Sequence, residues 1–168
     1  MSYNPGDIVL CHSSGIIGKA IRSGERLHGD RNDAQWNHAA LIKESNGKGD
    51  YYVIQAEAKG VTDCHLLSEI APGGRFQVVA LPEDVLAEDV LHFAKSQVGA
   101  KYGFLTIASI VMDLLLPDSI CFRKAKTWIC SGLVSASLMF GGWDPSTLLA
   151  RSDIYTTTPA ELAESLGA

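Results

Sequence analysis

Cysteine is scarce in this chain: four residues in 168, at positions 11, 64, 121 and 130. So few, so widely separated, exclude a small disulfide-stapled scaffold and fit a reducing compartment. Excess positive charge is also missing. With 14 Lys+Arg against 19 Asp+Glu and a formal net charge of −5, the chain has no global attraction to polyanions, so nucleic acid and anionic membrane surfaces are poor partners. There is no long apolar run either. The longest, Gly103–Leu116, contains Asp113 and falls short of the roughly 20 residues needed to span a bilayer, so it reads as a buried helix. Met1–Gly6 lacks a basic start leading into an apolar stretch, so no secretory signal peptide is expected. Repeats, low-complexity tracts and long linkers are absent, which predicts one domain over residues 1–168.

What remains is an ordinary folding composition, 46% hydrophobic and 20% charged, with turn signals spread evenly. Asp7–His12 is an apolar strand candidate. Ser13-Ser14 supplies an N-cap for a short helix carrying Ile16, Ile17, Ala20 and Ile21, and the polar run Gly29–Ala34 is a loop. Trp36–Ile42 and Asp50–Ala58 are rich in aromatic and β-branched residues and flank Ser45-Asn46-Gly47-Lys48-Gly49, a strong turn signal, which predicts a hairpin. Phe76–Leu81 follows the Pro72-Gly73-Gly74 turn as a further strand. Helical spacing covers Glu83–Val98, with Gly99 as its C′ residue, then Phe104–Leu116 up to Pro117, then about Ile129–Phe140 up to Gly141-Gly142. Thr158-Pro159-Ala160-Glu161 has the spacing of a capping box with proline at N1. Strands grouped together with helices around them indicate an α+β fold, with a half-barrel-like antiparallel sheet covered on one side.

The hairpin register can be worked out from the numbering. If strand partners mirror about the Gly47/Lys48 centre, Ile42 faces Val53, Ala40 faces Gln55 and His38 faces Glu57; a slip of two would put Gln55 or Lys59 opposite His38 instead. Directly opposed side chains stand about 4.5–5.5 Å apart at Cβ, so an imidazole and a carboxylate would be neighbours. Cys130, in Thr127-Trp128-Ile129-Cys130-Ser131-Gly132-Leu133, falls in the first turn of its helix, where unpaired backbone N–H groups and the helix dipole favour a thiolate. Arg123, Lys124 and Lys126 lie just upstream. Against this stand plainer alternatives: a surface His–Glu pair that does nothing and a buried structural cysteine. Cys11-His12 and Cys64-His65 together hold the ligand types of a Cys2His2 zinc site, but adjacent strand residues point to opposite faces, which argues against one metal. No metal or cofactor is expected. His28 and His92 have no sequence partner and read as surface residues, while Trp36, Tyr51, Tyr52, Trp128 and Trp143 read as core or cleft wall.

Several blocks together resemble the permuted members of the NlpC/P60 papain-like superfamily of cysteine amidases and peptidases. They are Gly6-Asp7-Ile8-Val9-Leu10, Trp36-Asn37-His38-Ala39-Ala40-Leu41-Ile42, Val53-Ile54-Gln55-Ala56-Glu57-Ala58-Lys59-Gly60-Val61, Gly99-Ala100-Lys101-Tyr102-Gly103-Phe104 and Trp128-Ile129-Cys130-Ser131-Gly132-Leu133-Val134. Histidine comes first, the acidic residue second and cysteine last, the order of the permuted branch. The resemblance implies a circularly permuted papain-like fold, with Cys130 as nucleophile, His38 as general base and acid, and Glu57 as the group orienting the imidazole. It also offers His12 and Tyr102 as supporting or oxyanion residues. The implied activity is hydrolysis of an amide bond through a thioester acyl-enzyme, in cell-wall peptide or peptidoglycan fragments. Without a signal peptide such an enzyme would be cytoplasmic or virion-associated, delivered by a virion, a secretion system or lysis; a phage-tail peptidase is one case. Two other readings share these residues: a lipid acyltransferase or thioesterase, with Phe104–Leu116 lining an acyl groove, and a non-catalytic binding or structural module.

Overall fold

Val9, Cys11, Ala40, Ile42 and Val53 alternate in sequence with Ile8, Leu10, Ala39, Leu41 and Ile54, and all ten are fully buried. A sheet whose strands are apolar at consecutive positions must be covered on both faces. The computed structural model, which describes residues 2–12, 36–104, 127–145 and 157–168, shows such a sheet. Its strands are β1 (Ile8–Cys11), β2 (His38–Ser45), β3 (Tyr51–Glu57), β4 (Gly60–Leu66) and β5 (Phe76–Val79), in the order β4-β3-β2-β1-β5, every pairing antiparallel. One face carries Ile8, Leu10, Ala39, Leu41 and Ile54 into the main core. The other packs Val9, Cys11, Ala40, Ile42 and Val53 with Leu67 and Ala71, edged by Tyr3, Tyr51 and Phe76. The expectation of a sheet covered on one side is thus corrected.

Among the described residues the helices are α1 (Leu67–Ile70), α2 (Ala87–Ser96), α3 (Cys130–Phe140) and α4 (Pro159–Ser165). Residues Cys130 to Leu138 of α3 are all buried, as suits a helix that is apolar all round. Leu133, Val134, Ala136 and Leu138 join the same core as Ala39, Leu41 and Ile54, and its small residues let it lie close to β2 and β3. The predicted capping box forms in α4: Thr158 N–H donates to Glu161 Oε2 at 2.7 Å and Glu161 N–H to Thr158 Oγ1 at 3.2 Å. Just before it, Thr157 O accepts from Ser131 Oγ at 2.5 Å, tying the C-terminal segment to the first turn of α3.

β4 was not expected, because it is an edge strand whose residues Thr62 to Leu66 are only partly buried or exposed and so carry no apolar run. The helix expected over Glu83–Val98 begins four residues later; Val85 N–H instead closes a turn on Pro82 O, and Leu86 N–H reaches Gly141 O. The helices expected at Ser13–Ile21 and Phe104–Leu116 and the Gly29–Ala34 loop lie outside the described residues, apart from Phe104 itself. Among the described residues no helix is long and apolar enough to cross a membrane.

A two-stranded parallel pair, β6 (Lys101–Tyr102) with β7 (Thr127–Trp128), joins α2 to the start of α3. It is anchored on β4 by Val61 N–H to Ala100 O and Gly99 N–H to Val61 O, both 2.9 Å. Gly60 makes this approach possible. Its φ is +116°, and a Cβ there would collide with the Ala100 carbonyl oxygen. Gly60→Ala is therefore expected to lower unfolding stability by about 3 kcal/mol, from backbone strain plus a backbone clash that no rotamer relieves. Urea unfolding checks this; an unchanged midpoint would mean that the β4–β6 junction yields without cost.

Candidate active site

Helix α3 starts without a side-chain cap. Its N-cap residue, Ile129, is extended (φ −94°, ψ 160°) and has no side-chain oxygen to offer, so the first-turn N–H groups must find other partners. The sulfur of Cys130, the first helical residue, takes one of them, accepting from the backbone N–H of Ser131. A second donor comes from the sheet. The ladder between β2 and β3 ends at Ala40↔Gln55, and the N–H of Ala39, next along β2, bonds the Cys130 sulfur. The helix start thus sits where the two strands part.

His38 opens β2. Its Nε2 lies 2.6 Å from Gln55 Oε1, and its ring is also hydrogen-bonded to Cys130. With Nε2 engaged by Gln55, Nδ1 is the nitrogen that faces the sulfur. A carbonyl oxygen only accepts, so Gln55 holds the proton on Nε2 and leaves Nδ1 of the neutral ring as an acceptor for the thiol proton. Burial pushes the Cys130 thiol up, yet the hydrogen bond and charge of His38 and the two backbone N–H groups outweigh it, and the net shift is downward. Burial likewise pushes His38 down; its bond to Cys130, the Cys130 charge, Gln55 and lastly the Glu57 carboxylate reverse this, and the net shift is upward. Both shifts favour thiolate with imidazolium.

Glu57 does not take the position expected of it. The β2–β3 ladder stops before a His38–Glu57 pair can form. Glu57 ends β3 as the partner of Gly60 and lies 3.2 Å from His65 Nε2, yet its buried Oε1 has no hydrogen-bond partner among the described residues. It reaches His38 through charge alone. Gln55, which the sequence reading offered opposite His38 only under a slipped register, is the residue that meets the ring. It stands opposite the small Ala40, as the numbering indicated, and its long side chain passes that methyl to the diagonal neighbour, a reach open to long side chains.

Tyr102 is 8% exposed and is held by the β6–β7 pairing with Trp128, two residues before Cys130. Burial, then the nearby Cys130 charge, push its hydroxyl strongly upward, so it stays a neutral phenol. His12 follows Cys11, which is the register partner of His38, and donates its backbone N–H to Arg75 O. Cys64 and His65 lie on β4, separated from Cys11 and His12 by β2 and β3. The Cys11 thiol is pushed up to about 12 by burial and by the Cys130 charge.

Opposite shifts in two neighbouring cysteines predict selective alkylation. At neutral pH iodoacetamide should label Cys130 and leave Cys11 unmodified, read by peptide mass spectrometry, and His38→Ala should slow Cys130 labelling by roughly tenfold or more. Equal rates with and without His38 would show that the ring does not activate the sulfur.

A search of curated proteins finds no match. The model of a family described as "Permuted papain-like amidase enzyme, YaeF/YiiX, C92 family" matches residues 2–109, a span that includes His38, Gln55, Glu57 and Tyr102 and ends before Cys130. The fold supplies what lies beyond the match, by setting Cys130 against His38. The chain belongs to the permuted papain-like amidase family.

Proposed function

We propose that this amidase is a cysteine hydrolase in which Cys130 is the nucleophile, His38 the general base and acid, and Gln55 the residue that orients the imidazole. The observation that carries the reading is the His38 ring, bonded on one side to the Cys130 sulfur and on the other to an amide oxygen. An activated nucleophile, a base in reach and a third group fixing the base are the requirements of this chemistry, and an amide as third member is the papain-like variant.

The thiolate attacks the carbonyl carbon of the amide, and the π pair moves onto oxygen. The backbone N–H of Cys130, one of the groups that the helix leaves unpaired, is placed to hold that oxyanion; one such donor is worth about 3–4 kcal/mol where water is excluded. Collapse breaks the C–N bond as His38 gives its proton to the leaving amine, leaving a thioester. Neutral His38 then takes a proton from water, hydroxide attacks the thioester, and the acid is released with the thiolate–imidazolium pair restored.

Peptide amide bonds of the cell wall are the substrate class this reading favours, on the residue blocks shared with wall-cleaving cysteine amidases and on a net charge of −5 that offers no attraction to polyanions. A long-chain acyl substrate is the second reading, favoured by Phe104, which is 54% exposed and stacks edge-on against Tyr102 at 5.1 Å. Peptidoglycan fragments and a long-chain acyl ester, each followed by mass spectrometry of Cys130, separate the two by which leaves its acyl mass on the sulfur.

On the substrate that is turned over, Cys130→Ala should abolish activity and His38→Ala should cost about a thousandfold. Gln55→Ala should lose roughly tenfold to a hundredfold through loss of ring orientation, and Glu57→Gln less. Wild-type levels in Cys130→Ala would end the proposal, and a larger loss in Glu57→Gln than in Gln55→Ala would return the orienting role to Glu57. The profile of kcat/KM against pH should be bell-shaped. Its acid limb, where the thiolate is protonated, lies below the usual thiol range; its alkaline limb, where imidazolium is lost, lies above the usual imidazole value. Because the Gln55 bond raises His38, Gln55→Ala should move the alkaline limb to lower pH; a limb that stays in place would mean that Gln55 does not act on the ring's charge.

A further inference from the structure

Trp36 precedes His38 by two residues and packs against the main core cluster, which contains Ile129 and Leu133 on either side of Cys130. The residue is partly buried, but the indole nitrogen Nε1 is itself buried and has no hydrogen-bond partner among the described residues. That sets it apart from Trp128, whose Nε1 donates to Gln97 Oε1 at 3.1 Å. A buried N–H without an acceptor lowers stability, and such groups in folded proteins call for an explanation. Here the unpaired donor belongs to the short segment that also carries the imidazole, on the side of the sheet where α3 begins.

We propose that the indole N–H of Trp36 is a substrate-binding donor, unpaired at rest and completed by the carbonyl oxygen of the bound substrate as that oxygen takes up negative charge. Together with the backbone N–H of Cys130 it forms a two-donor oxyanion site, one donor from the start of α3 and one from the segment leading into β2. This rests on the cysteine-amidase reading and deepens it, since it assigns the second group that a tetrahedral intermediate needs. The donor is held by the fold before the substrate arrives, and the atoms that cover it give way to the substrate oxygen. Its cost is carried by the resting fold.

The test uses the whole chain and the peptide aldehyde N-acetyl-alanyl-alaninal, which imitates the intermediate. The C–S bond forms between Cys130 and the aldehyde carbon, the π pair moves to oxygen, and that oxygen takes the proton held by His38. Trp36→Phe keeps an aromatic ring and removes only the N–H donor. The expected result is a fall of about a hundredfold in aldehyde affinity, an unchanged rate of Cys130 alkylation by iodoacetamide, and a melting temperature equal to or above that of the parent. Undiminished aldehyde affinity in Trp36→Phe overturns the inference while leaving the nucleophile in place, as does a lower melting temperature with affinity intact, which would mark the N–H as structural. If the parent chain forms no adduct at Cys130, the cysteine-amidase reading falls and the inference with it.

Discussion

A cysteine 2% exposed to solvent and an imidazole crowded by protein share one proton, and the rest of the site is arranged around that proton. Burial works against both charged forms, thiolate and imidazolium alike. Two buried opposite charges seldom recover their lost hydration by mutual attraction alone; they need further hydrogen bonds in good geometry. These come from three places: the N–H of Ser131 inside α3, the N–H of Ala39 at the parting of β2 and β3, and the amide oxygen of Gln55 on β3. None is local to both partners, so the charge state of Cys130 depends on the packing of the helix against the sheet.

That dependence explains why the surroundings are so dry and so closely packed. The residues of α3 from Cys130 to Leu138 are buried, and Ser131 fastens the segment before α4 to its first turn. The β6–β7 pair, set against β4 at Gly60, delivers Trp128 and Tyr102 to the neighbourhood of the sulfur. A neutral amide behind the ring also sets the balance of charge. Where a carboxylate would leave the buried group of three with a net negative charge, Gln55 lets thiolate and imidazolium cancel. Glu57 adds its charge from farther off, beside His65.

Much of this was legible in the sequence. The apolar runs gave β1 to β3, the Thr158–Glu161 spacing gave α4 its cap, and the numbering around Gly47 and Lys48 placed Ala40 opposite Gln55, Leu41 opposite Ile54 and Ile42 opposite Val53, as the ladder has them. A bulge at Lys43 changes the register nearer the turn without disturbing those pairs. The resemblance to permuted papain-like cysteine amidases agrees with the family match. Two things escaped. An edge strand such as β4, with polar residues along one side, has no hydrophobic signature. The partner of His38 escaped because register describes where Cα atoms stand opposite one another, whereas a glutamine can reach a diagonal neighbour, and the ladder ended at Ala40 and Gln55, two pairs short of His38 and Glu57. Trp36 escaped for a similar reason, since an indole N–H left without an acceptor is a property of the folded surroundings and not of the residue type.

The central claim, a thiolate at Cys130 maintained by His38, is tested most directly by the ultraviolet absorbance of the thiolate. The measurement is the difference spectrum between the parent chain and Cys130→Ser, followed as a function of pH. The account predicts that the thiolate band is already present at neutral pH, disappears on acidification, and is missing at neutral pH when the parent carries His38→Ala. A band that emerges only in the ordinary thiol range, whether or not His38 is present, would contradict it.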